Sequence, residues 1–113
     1  MELELKGNTL IVALHGELDS HYADSVRNKV DDTAKRYEVK NIIFNLQDVT
    51  FMDSSGIGFI VGRYKYALRH GGITIAAQAS KELKKLLVLS GLHRIIGIYD
   101  NLEEAVSSVE RRR

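Results

Sequence analysis

Leu3 and Leu5 stand between Glu2, Glu4 and Lys6, the period-two alternation of a half-buried strand. Gly7-Asn8 marks a turn. Leu10, Val12 and Leu14 then alternate with Thr9, Ile11 and Ala13, which predicts a second strand ending near Gly16 and an antiparallel hairpin with the first. Asp19 or Ser20 suits a helix cap. After it, Ala23, Val26, Val30, Ala34 and Tyr37 recur at spacings of three and four, an amphipathic helix. The run Ile42-Ile43-Phe44-Asn45-Leu46 suits a strand covered on both faces. Gln47 to Asp53 reads as a loop into a second helix, with the stripe Ile57, Val61, Tyr64 and Leu68 and a stop at His70-Gly71-Gly72. Ile73, Ile75 and Ala77 read as a strand. Ser80 caps a third helix, with Leu83, Leu86 and Leu87 inward and Gly91 at its end. Ile95, Ile96 and Ile98 make a last strand. Asp100 and Glu103 form a capping box for a final helix striped by Leu102, Ala105, Val106 and Val109.

Strands alternating with helices in this order predict an α/β fold with crossover connections and a central, mostly parallel sheet. Partners of such sheets dock outside the carboxyl ends of the strands. The segment after Leu46 lies at such an end, as does the Gly16 to Asp19 turn.

Composition narrows the chemistry. The 113 residues suit one domain, residues 1–113. The formal net charge is +1, without the basic excess of nucleic-acid binders. There is no cysteine, which removes disulfides and thiol chemistry and fits a cytoplasmic protein. No stretch approaches a membrane span or a signal peptide. The four histidines, His15, His21, His70 and His93, have no metal-ligand spacing, so neither a metal nor a cofactor is expected.

The most informative stretch is Phe51-Met52-Asp53-Ser54-Ser55-Gly56-Ile57-Gly58. Asp53 or Ser54 occupies the cap, and either choice puts the Ser54 hydroxyl in the first helical turn, where unpaired N–H groups gather. Gly56 and Gly58 each cost a helix about 1 kcal/mol relative to alanine, so something must approach that backbone closely. Gly62 extends the small-residue strip. Helix starts favour anions, yet the glycine–lysine–serine ending of a nucleotide loop is missing. The alternative is a covalent phosphate on Ser54, bringing about −1.5 to −2 charge. Set against both is a capped turn whose glycines merely fit the packing. A Ser54–His21–Asp19 hydrolase lacks the serine elbow. Lys81, Lys84, Lys85 and Arg94 are either a basic patch or a solvated helix face. The five tyrosines read as core edges with wet hydroxyls.

The segments Gly16-Glu17-Leu18-Asp19, Asn45-Leu46, Phe51 to Gly58, Gly62-Arg63-Tyr64-Lys65 and Ser90-Gly91-Leu92 resemble the anti-sigma-factor antagonists, which are STAS-domain proteins, and most of all their sporulation type. The resemblance spans about Leu3 to Val109. It implies a STAS fold, with an N-terminal antiparallel hairpin strand and helices packed on the sheet. It also implies a regulator that is not an enzyme. Its unphosphorylated form binds an anti-sigma factor that is also an ATP-dependent serine kinase, so that the sigma factor is released. The kinase phosphorylates Ser54, and a serine phosphatase restores the active form. By position, Asp19, Asp53, Ser55, Gly56, Ile57 and Gly58 would line the docking surface, with Arg63 at its edge. Ile57 stands where leucine is common. The expected state is a monomer that joins a dimeric kinase, without nucleic acid or membrane. A general-stress antagonist and a STAS subunit of a lipid transporter are the other readings. The terminal Arg111-Arg112-Arg113 falls outside the resemblance and reads as a frayed tail.

Overall fold

The computed structural model describes residues 1–111; Arg112 and Arg113 of the terminal arginine run lie outside them. The chain runs β1 (Glu2–Lys6), β2 (Thr9–Leu18), α1 (Ser20–Arg36), β3 (Asn41–Met52), α2 (Ser54–Arg69), β4 (Thr74–Ala77), α3 (Lys81–Leu89), a 3-10 turn (Leu92–Arg94), β5 (Gly97–Tyr99) and α4 (Leu102–Glu110). The five strands form one sheet in the order β1-β2-β3-β4-β5. β1 is antiparallel to β2, and the other three pairings are parallel.

Side-chain alternation splits the core into two layers. Leu10, Val12, Leu14, Ile42, Phe44, Leu46 and Ala76 point to one face and meet Ala23, Val26 and Val30 of α1, Phe59 and Ile60 of α2, and Leu83 and Leu87 of α3. Phe44 and Phe59 meet edge to face there, centroids 6.0 Å apart. Ile11, Ile43, Ile75 and Ala77 point the other way, onto Ala105 and Val109 of α4. Burying each of these large side chains contributes about 1.5–3 kcal/mol. β1 is an edge strand with Glu2, Glu4, Leu5 and Lys6 all exposed.

Five local readings change. Gln47 to Asp53 is not a loop: β3 continues to Met52, and β2 likewise runs past Gly16 to Leu18. Bulges between Ala13 and His15 and between Gly16 and Glu17 break the alternation while the pairing continues; Gly16 takes a left-handed φ of 73° there. The stripe of α2 is rotated. Gly56, Phe59, Ile60 and Ala67 are buried, Ile57, Val61 and Tyr64 are half-buried, and Leu68 is exposed. Ile95 and Ile96 precede β5 rather than forming it. Asn101, not Asp100, caps α4, its Oδ1 accepting from the Glu104 amide at 2.7 Å, while Asp100 pairs with Lys84. Among the tyrosines, Tyr37 leaves the buried stripe of α1 and sits exposed at its C-cap.

Candidate functional site

β2 and β3 end together, with Leu18 opposite Met52. The next residue on each strand is an aspartate, and each aspartate caps a helix. Neighbouring strands lie about 4.8 Å apart, so the starts of α1 and α2 open side by side at the carboxyl end of the sheet. Asp53 is extended, and its Oδ1 accepts from the amides of Ser55 at 2.9 Å and Gly56 at 3.2 Å. The cap that sequence left between Asp53 and Ser54 is therefore Asp53. Ser54 becomes the first residue of α2 and is exposed. Asp19 does the same work for α1, its Oδ1 accepting from the Tyr22 amide at 2.9 Å. A carboxylate has roughly four acceptor positions, so both groups can take further donors.

The three glycines of α2 separate into two kinds. A Cβ on Gly56 would lie 2.5 Å from the Leu18 carbonyl oxygen and 2.5 Å from Met52 Cγ. Gly56 therefore faces inward, and its missing side chain lets the helix start seat against β2 and β3. A Cβ on Gly58 or Gly62 would meet nothing within 4 Å. Nothing in the chain's own packing accounts for those two residues. Ile57 is half-buried and packs on the core, and Ser55 is half-buried behind the cap.

Arg63 turns away from this cluster. Its side chain is 11% exposed, with Nε and Nη2 each 3.0 Å from an Asp31 carboxylate oxygen and Nη1 donating to the Phe59 carbonyl. The guanidinium also covers the Phe59 ring, 4.7 Å from its centroid. It clamps α2 to α1 and leaves the helix starts without its charge. Tyr66, further along α2, is held above the usual tyrosine pKa of 10.0 by desolvation and by the Asp31 charge, with Arg69 opposing.

Two residues of the quoted segments lie beside the site without having been read as part of it. Glu17 and Phe51 face each other in the β2–β3 register just before the caps, and both are exposed, Phe51 by 50%. Phe51 opens the serine motif, but the bulged register hid which way it faces. Among the described residues, no group of three or more His, Cys, Asp or Glu side chains is placed to hold a metal ion, and no helix is long and apolar enough to cross a membrane.

The STAS domain model matches residues 1–105. The chain is 40% identical to the anti-sigma F factor antagonist of Paenibacillus polymyxa, over 97% of this chain and 94% of the relative. It is 31% identical to the anti-sigma-B factor antagonist of Bacillus subtilis, over 94% and 95%. Among solved structures it resembles the anti-sigma factor antagonist SpoIIAA in its unphosphorylated form, with a TM-score of 0.84 and 33% identity over 96% of this chain and 95% of that one. The phosphorylated form of the Bacillus cell fate determinant SpoIIAA gives a TM-score of 0.75 at 33% identity, over 96% and 97%.

Proposed function

The chain belongs to the STAS-domain family, among the anti-sigma-factor antagonists, and on that premise we propose that it is a binding switch gated by phosphorylation of Ser54. The unphosphorylated form binds an anti-sigma factor and frees a sigma factor. That anti-sigma factor is also the ATP-dependent kinase that modifies Ser54, and a serine phosphatase reverses the modification. The chain is their substrate and performs no catalysis. We read residues 1–113 as one such unit, cytoplasmic and monomeric until it meets its partner.

The observation that carries this reading is the position of Ser54. It is exposed at the first helical position, between a capping carboxylate and a glycine whose outer side is open. Docking would use the end formed by the half-buried Asp19, Asp53, Ser55 and Ile57 and the exposed Gly58. Gly56 would act from beneath by seating the helix, and Arg63 would act by holding α2 to α1. A phosphate on Ser54 places a dianion at a helix start, where the dipole offsets about 0.3–1 kcal/mol, so the fold tolerates it. A docked partner instead meets that dianion beside Asp53, and like charges brought together at an interface cost several kcal/mol. A related protein solved in both phosphorylated and unphosphorylated forms supports a switch that keeps its fold. We assign the sporulation branch because identity to the anti-sigma F antagonist, 40%, exceeds that to the anti-sigma-B antagonist, 31%.

Incubation with the cognate kinase and labelled ATP, followed by peptide mapping, tests the reading. Label should fall on Ser54 alone and be absent from Ser54→Ala, which should still bind the kinase. Ser54→Asp should bind at least about tenfold more weakly, a loss of about 1.4 kcal/mol. Label on another residue, or no label, would refute the assignment.

A further inference from the structure

The switch leaves one surface of α3 unused. Lys81, Lys84, Lys85, Val88 and Leu89 line an open groove of about 400 Å³. The core takes Leu83 and Leu87 from this helix, yet Leu89 is 84% exposed and Val88 46%. A solvated helix face has no need of two adjacent exposed aliphatic residues, here the last two of α3. The lysine stems add further apolar wall, as such stems do when their ammonium groups reach water.

The charge around the groove is one-sided. The Lys84 ammonium is held by Asp100. Lys81 and Lys85 have no ion-pair partner among the described residues. The helix's one acid, Glu82, does not line the groove. An apolar floor with unpaired cations on its rim complements an aliphatic side chain flanked by carboxylates. A protein segment can answer both the apolar floor and the cations, whereas a lipid surface would answer the cations weakly. Two unpaired lysines would contribute only about 2 kcal/mol on an anionic membrane.

We propose that this groove docks a short, acidic, amphipathic segment of a partner protein. An aliphatic side chain seats on Val88 and Leu89, and carboxylates pair with Lys81 and Lys85. None of the residues lining the groove belongs to the Ser54 cluster.

The test is a titration of the isotope-labelled full chain, followed by amide chemical shifts. The probes are a leucine–glutamate amphipathic peptide, its leucine–lysine counterpart, a glutamate–serine peptide without leucine, and phosphatidylglycerol–phosphatidylcholine vesicles. The leucine–glutamate peptide alone should shift amides concentrated in Lys81–Leu89. The double variant Lys81→Glu/Lys85→Glu should reverse the preference toward the leucine–lysine peptide. Leu89→Ser should weaken either complex about tenfold or more, the scale of losing one aliphatic anchor. All three positions are exposed, so unchanged shifts elsewhere certify the fold of each variant. Equal responses to both leucine peptides, a response to the glutamate–serine peptide, shifts outside α3, or no shifts would overturn the proposal. A stronger response to vesicles than to the acidic peptide would overturn it in favour of a membrane contact.

Discussion

Replacing Gly58 with alanine should stabilise the free chain and weaken its complex at the same time. The added Cβ meets nothing within 4 Å, so no packing is lost. The gain is the ordinary one for glycine to alanine in a helix, about 0.5–1 kcal/mol. A chain of 113 residues has an unfolding entropy of about 0.24 kcal/mol per degree, taking ~2.1 cal/mol/K per residue, so Tm should rise by about 2–4 °C. On the proposed docking, the same methyl would stand where the partner approaches the start of α2. Overpacking a close contact costs about 1–3 kcal/mol, or about 5- to 150-fold in affinity. Thermal unfolding of the free chain and calorimetric titration with the cognate anti-sigma factor measure the two arms. A lower Tm would show that the fold itself needs this glycine. A higher Tm with unchanged affinity would remove Gly58 from the docking surface.

Gly56→Ala should behave in the opposite way. Its Cβ would lie 2.5 Å from the Leu18 carbonyl, against about 3.4 Å for ordinary contact. The start of α2 must therefore move by roughly 0.9 Å, and overpacking less the helix-propensity gain leaves a net loss of about 1 kcal/mol in urea denaturation. Asp31→Ala strands the Arg63 guanidinium, only 11% exposed. It should cost about 1–3 kcal/mol, and Asp31→Leu/Arg63→Met should recover much of that loss in the same assay. For Tyr66 the folded-state pKa lies above the unfolded value, so its contribution is present below about pH 10 and lost as pH rises through the folded value. The urea midpoint should therefore fall in alkali, and Tyr66→Phe should make that fall shallower.

The element order and the parallel sheet were legible because Leu10, Val12 and Leu14 alternate in β2, Ala23, Val26, Val30 and Ala34 keep helical spacing in α1, and β3 opens on a near-continuous apolar run. Legibility failed where the period broke. Past Leu46, two bulges keep β3 paired while shifting which residues face inward, and hydropathy reads that shift as a loop. In α2, Ile57, Val61, Tyr64 and Leu68 form as regular a stripe as the buried set. What decides between the two is Gly56, whose value lies in an absent side chain that no hydropathy scale credits. The serine motif could be found from composition and spacing. Its cap could not be resolved, because aspartate and serine cap equally well and only the strand's end point separates them. Arg63 stood beside the motif in sequence, and only the three-dimensional packing reveals its commitment to Asp31.

The borders of the sheet bear on how such a chain behaves at high concentration. One border is β1, whose exposed Glu2, Glu4 and Lys6 interrupt any flat apolar ribbon; the other is β5, three residues long. Neither is a template along which copies zip together, since charge and brevity are the usual guards against strand-to-strand aggregation. A regulator that must be found by other proteins is thereby kept from being consumed by its own kind.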